Sequence, residues 1–216
     1  MYKGLTLTIL IILAIILCIN FMTNLGLLQI RGQIIELQIP KYVVSKEPER
    51  ISTTLIKTYP YLKIWGPDVI FYWSGIIYDQ CEKRRIDWRV VCAKIHCESG
   101  FNPKAISEME AKGIAQVLDS TASAICRRTA MTFIPDVTLM NDVAGMLIGI
   151  NYLDQGIKKE QSIEKGLKYY YAGPGWRKNI KQGPINDYAK TVLSEVNRIG
   201  KVYEELYPVE KSFFLR

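Results

Sequence analysis

From Gly4 to Ile30 the chain carries no charged residue, and the centre of that run, Leu7 to Ile19, is mostly Ile and Leu. Nothing else in the sequence restricts folding as strongly. A helix needs roughly 20 consecutive apolar residues to cross a bilayer, and a helix satisfies its own backbone polar groups in lipid. The expectation is an N-terminal transmembrane helix within 1–30. A cleaved signal peptide is the alternative, because the most apolar part is short and follows Lys3; Asn20 to Leu28 offers no A-x-A-like cleavage site, which favours an uncleaved anchor. A buried core helix is a weaker third reading. Charge does not fix the orientation, since Lys3 stands on one side and Arg31 and Lys41 on the other.

The chain has 216 residues, enough for one domain and an appendage. It holds 28 Lys and Arg against 21 Asp and Glu, a net charge of +7, which favours anionic partners. Basic residues occur only as scattered pairs such as Arg84-Arg85 and Arg127-Arg128, so no nucleic-acid partner is expected. Lys158-Lys159 and the cluster Arg177, Lys178 and Lys181 read as solvated surface, with attraction to an anionic partner as an addition. Outside the apolar run lie Cys81, Cys92, Cys97 and Cys126, whose spacing matches no zinc signature. They read equally as two disulfides or as small buried hydrophobes. With a single histidine, His96, no metal site or cofactor is expected.

Residues 31–66, with Pro40 and Pro48, read as a tether, and 67–205 as the folded domain, followed by a tail over 206–216. The domain is expected to be mainly α. A helix starts at Pro67 and runs through Val69, Ile70, Trp73, Ile76 and Ile77 at helical spacing. The aromatic group Trp65, Phe71, Tyr72 and Trp73 reads as core. Asp87 is placed to cap a helix from Trp88 to about Glu98, closed by Gly100, Asn102 and Pro103. Further helices are expected over Ser120 to Thr129 (capped by Asp119 or Ser120), Asn141 to Gln155 with its end at Gly156, Ser162 to Tyr171, and Ile185 to Glu205. Period-two strand signals are confined to Ile34 to Ile39.

Glu98 ends an apolar helix beside Ile95 and Phe101, and a polar, glycine-bearing loop follows it. Partly apolar surroundings raise a carboxyl pKa, and a protonated carboxyl near neutral pH can act as a general acid. The bland reading is a solvated helix-end glutamate. His96, two residues earlier, points to another face of the helix and reads as structural. Cys97 is not faced by His96 and reads as buried or paired rather than as a nucleophile.

The stretch Glu98, Ser99, Phe101, Asn102, Pro103, Ala105 and Ser107 resembles the E-S-x-F-N-P-x-A-x-S signature of the soluble lytic transglycosylase (SLT) domain family, which has a lysozyme-like fold. Gly113-Ile114-Ala115-Gln116 resembles the family's G-L-M-Q run, and Thr121-Ala122 its T-A pair. Gly149, Tyr152 and Leu153 are similar to G-x-x-Y-L, and Tyr170 to Gly175 to Y-N-A-G-P-G, while Tyr188 falls on the tyrosine of a late E-T-x-x-Y motif.

The resemblance implies a lysozyme-like helical domain that cleaves peptidoglycan glycan strands. In it Glu98 protonates the oxygen between N-acetylmuramic acid and N-acetylglucosamine, then takes the proton of the muramic C6 hydroxyl as a 1,6-anhydro ring closes. Ser107, Gln116, Tyr170 and Tyr188 are implied to line the glycan groove. Ala115, Tyr171, Glu110 and Pro184 depart from the family pattern. Two other functions are compatible with the residues. A lysozyme-type hydrolase needs a second carboxylate, for which Glu108, Glu110 and Asp119 are candidates by sequence proximity; a non-catalytic wall-binding subunit has little use for Glu98. With the apolar anchor, the expected location is the cytoplasmic membrane, single-pass, with the catalytic domain outside it. Such an enzyme would serve local wall opening for a secretion, conjugation or phage machine.

Overall fold

The computed structural model describes residues 45–178 and 182–208. Two units divide the chain, Met1–Val44 and Ser45–Arg216. The first lies outside the described residues, and with it the expected membrane helix and the Ile34 to Ile39 strand signal; so does the tail beyond Pro208. Among the described residues no helix is long and apolar enough to cross a membrane. The described domain is mainly α, and its only extended pairings are two isolated bridges, Ile106 with Lys112 and Lys112 with Val117.

The tether expected over 31–66 is overturned from Glu47 onward. Helix α1, Glu47–Thr58, has Pro48 in its first turn. Ile51, Leu55, Tyr59 and Leu62 are buried, the last on a 3-10 turn, Pro60–Trp65. Each fully buried aliphatic contributes about 1.5–3 kcal/mol, so this segment is part of the core. It packs against α2, Pro67–Arg84, and against the last helix, α7, Gln182–Leu206. On α2, Ile70, Trp73, Ile77 and Cys81 recur at intervals of three or four and are buried. The expected aromatic core splits: Trp73 is enclosed, whereas Phe71 and Tyr72 are exposed.

Helix α3, Trp88–Ser99, is capped by Asp87, whose side chain accepts from the Arg89 amide at 2.9 Å. Six consecutive residues, Val90 to Ile95, are buried, which makes it the central helix of the domain. Helix α4, Asp119–Thr129, corrects the expected cap. Asp119 lies inside the first turn and its carboxylate accepts from Lys112 at 2.7 Å, while the capping residue, Leu118, makes no side-chain bond. Helix α5, Asp142–Glu160, is capped by Asn141 and runs through Gly156 rather than ending there. Gly156 is a crossing point: a Cβ on it would lie 2.9 Å from the Gly166 carbonyl of α6, Ile163–Ala172. Cys81, Cys92, Cys97 and Cys126 are free thiols, so the two-disulfide alternative is not realised.

Candidate active site

Glu98 stands at the last turn of α3, half-buried. The helix ends at Gly100, whose φ of 59° is left-handed and whose amide donates to the His96 carbonyl. Phe101 follows with φ 62° and is buried. A non-glycine residue in this region carries a cost of about 1–2 kcal/mol, here offset by the enclosed ring. The reversal turns the chain back over the helix end, where the Ser99 hydroxyl donates to the Ile114 carbonyl at 2.7 Å and so fixes the 112–116 loop beside Glu98.

Gly113 is obligatory in that loop. Its φ is 74°, and a Cβ there would come within 1.8 Å of the Leu139 carbonyl oxygen. Gln116, with φ 50°, donates through Nε2 to the Ala105 and Gly113 carbonyls at 3.1 and 3.0 Å. The Ser107 hydroxyl accepts the Ala111 amide at 3.0 Å and closes the preceding turn. Both residues therefore build the loop that faces the site.

Two tyrosines arrive from the C-terminal helices. Tyr188 on α7 donates to Oε1 of Glu98 at 2.5 Å. Tyr170 on α6 is buried and donates to the Ala115 carbonyl at 2.6 Å. Of the expected groove residues, Tyr188 alone bonds to Glu98; Tyr170, Gln116 and Ser107 hold the backbone around it. Tyr171 stacks on Tyr188 at 4.7 Å between ring centroids and is 51% exposed, leaving an open aromatic surface beside the carboxyl.

Sequence reasoning missed Lys94. It lies one turn before Glu98 on α3 and is buried. Its ammonium donates to the Ala115 carbonyl at 3.3 Å and sits 4.1 Å from the centroid of the Tyr170 ring. The available signal was a lone lysine inside the apolar run Val90-Val91-Cys92-Ala93-Lys94-Ile95. Desolvation raises the Glu98 carboxyl above the usual carboxylate range, with Lys94 and the Tyr188 hydrogen bond pulling it partly back. The helix C-terminus, its negative end, also disfavours the carboxylate. The outcome is a carboxyl that holds its proton more tightly than a solvated glutamate, next to a donor that stabilises it once ionised.

His96 belongs to a different face. It stacks on Tyr59 at 4.0 Å, and its Nδ1 is 2.8 Å from the Tyr61 hydroxyl. The Tyr59 hydroxyl donates to Glu195 at 2.8 Å. Among the described residues no cluster of His, Cys, Asp or Glu could hold a metal ion. Asp119 is engaged by Lys112, and Glu108 and Glu110 are solvent-exposed.

The sequence model described as Transglycosylase SLT domain matches residues 76–191, a span that contains Glu98, the 112–116 loop, Tyr170 and Tyr188. The chain belongs to the SLT domain family. Within the lysozyme-like superfamily, its fold is similar to that of an inactive glutamate-to-glutamine mutant of lytic transglycosylase Slt from Pseudomonas aeruginosa. The TM-score is 0.54 at 18% identity, over 70% of this chain and 29% of that one. It is also similar to the 70 kDa soluble lytic transglycosylase from Escherichia coli, with a TM-score of 0.52 at 19% identity, over 76% of this chain and 31% of that one. This SLT chain thus spans about a third of the length of those two proteins, and at such identities the likeness is one of fold.

Proposed function

We propose that this chain is a membrane-anchored lytic transglycosylase that cleaves the β-1,4 bond between N-acetylmuramic acid and N-acetylglucosamine in peptidoglycan, leaving a 1,6-anhydromuramyl end. The observation that carries this reading is the half-buried carboxyl of Glu98, raised by desolvation and hydrogen-bonded to Tyr188. In the first step Glu98 gives its proton to the bridging oxygen as the C1–O bond breaks, the bonding pair leaving with that oxygen. In the second, the Glu98 carboxylate takes the proton of the C6 hydroxyl while the C6 oxygen bonds to C1. Glu98 ends as it began, and no water is consumed. General acid catalysis of this kind is worth about 10²- to 10⁴-fold; the rest falls to holding the sugar in place.

A hydrolase would need a second carboxylate to activate water, with inverting pairs roughly 6.5–9.5 Å apart. The engagement of Asp119 by Lys112 and the exposure of Glu108 and Glu110 favour the transglycosylase. In this reading Ser107 and Gln116 shape the loop edge of the glycan groove, and Tyr170 and Tyr188 fix its floor. The uncharged run Gly4 to Ile30 supports a single-pass anchor in the cytoplasmic membrane with the enzyme outside it. An anchor confines cutting to one place, which suits a wall-crossing secretion, conjugation or phage machine.

The test is mass spectrometry of muropeptides released from purified peptidoglycan by the full chain, beside Glu98→Gln. Anhydromuramyl products from the wild type, absent with Glu98→Gln, are expected. Reducing-end products would point to a hydrolase, and wall binding without any product to a non-catalytic subunit.

A further inference from the structure

An ammonium buried without an anionic partner costs several kcal/mol, yet Lys94 is 1% exposed. Among the described residues its three N–H donors find one acceptor, the Ala115 carbonyl, and the face of the Tyr170 ring. The group that can balance its charge, once ionised, is Glu98, one turn later on the same helix. Among the described residues the ionisable groups around the two are Cys97 on α3, Tyr170 on α6 and Tyr188 on α7, none of them cationic. The charge of Lys94 pulls the Glu98 carboxyl down against the desolvation that raises it.

The surrounding positions are small where the ammonium lies. A Cβ on Gly149 of α5 would stand 3.2 Å from Lys94 Nζ and 2.4 Å from the Ala115 Cβ. Ala115 is itself buried, so a longer side chain there would compete for the same space. Alanine at 115 and glycine at 149 together leave the room that the lysine uses.

We propose that Lys94 is a positioning residue of this site, an internal counter-ion that stabilises the Glu98 carboxylate formed when the acid gives up its proton. The proposal rests on Glu98 being the acid/base described above. Lys94 keeps its own proton throughout. When the Glu98 proton passes to the glycosidic oxygen, the new carboxylate faces a positive charge across one helical turn, and it remains an anion until the C6 hydroxyl returns a proton. Burial lowers the Lys94 amine from the lysine range while Glu98 supports it, as expected for a pair that shares one charge balance. Lys94 also ties the Ala115 carbonyl, and through it the catalytic loop, to α3.

The proposal is tested on the full chain by carbon NMR titration of the Glu98 carboxyl, assigned by its loss in Glu98→Gln, in the wild type and in Lys94→Met. The same two proteins give pH profiles of peptidoglycan cleavage. With Lys94→Met the Glu98 midpoint is expected to rise by about one pH unit or more, and the basic limb of kcat/KM to rise with it. Linkage requires the reciprocal effect: in Glu98→Gln the nitrogen titration of Lys94 Nζ moves down, a measurement that needs no lysine variant and so survives a Lys94→Met that fails to fold. An unchanged Glu98 midpoint in a folded Lys94→Met protein, or a Lys94 midpoint unmoved in Glu98→Gln, overturns the proposal. So does a uniform loss of rate with no movement of the limb. Should the wild type cut no peptidoglycan, the functional reading fails, and the two titrations still decide whether Lys94 and Glu98 are a pair.

Discussion

Tyr188 reaches Glu98 across 90 residues of sequence to donate a hydrogen bond of 2.5 Å. The bond joins the last helix to the central one at Glu98. It stabilises the carboxylate more than the acid, and a hydrogen bond to a charged group is worth about 1.5–3 kcal/mol. Tyr188→Phe is therefore expected to lower kcat by about 10- to 100-fold, with the basic limb of the pH profile moved upward, because the carboxyl then holds its proton more tightly. Steady-state cleavage rates across pH check both signs.

Tyr171 offers a different outcome. Its ring is stacked on Tyr188 and half of it faces solvent, the arrangement of a platform for the apolar face of a sugar. Tyr171→Ala is expected to raise KM for glycan strands about five-fold, the equivalent of about 1 kcal/mol of lost contact, and to change kcat less. Binding and turnover measured separately on a defined glycan distinguish this from a loss of the Tyr188 bond.

Ala115→Met restores the residue of the family's run, and the packing predicts harm rather than gain. Ala115 is buried and its Cβ would stand 2.4 Å from a Cβ on Gly149, so extra methylenes overfill the core at a cost of about 1–3 kcal/mol. For a domain of this size that lowers Tm by roughly 2–4 °C per kcal/mol. Thermal denaturation of the variant beside the wild type measures it.

The cysteines are expected to be inert. Burial pushes the Cys97 thiol up to about 11 and the Cys81 thiol up to about 12, and the thiol form is a poor nucleophile. Thiol labelling of the native protein at pH 8 is expected to be slow at all four described cysteines, with half-buried Cys97 reacting first. Denaturation without reductant should then release all four.

Most of the helices were legible because their apolar residues recur at helical spacing and their ends carry recognisable caps, as at Asp87 and Asn141. Helix α1 was not. Pro40 and Pro48 suggested a tether; burial of Ile51 and Leu55 against α2 and α7 stabilises the segment, and such partners are invisible in local sequence. Gly156 misled for a similar reason, since a glycine at a close helix crossing has the same local signature as one that ends a helix. In the site, the position of Glu98 followed from its helix end and motif, and Tyr188 from the late motif. Lys94 did not, because its importance depends on Tyr170 and the Ala115 carbonyl converging from distant segments. Ser107, Gln116 and Tyr170 were expected on the glycan, whereas the bonds described for them tie down backbone.

The central claim, that Glu98 closes a ring within the sugar instead of activating water, is tested most directly by digesting peptidoglycan with the full chain in heavy-oxygen water and weighing the new muramyl ends. Anhydro ends without label are predicted, and none at all from Glu98→Gln. One labelled oxygen at each new reducing end would contradict the account.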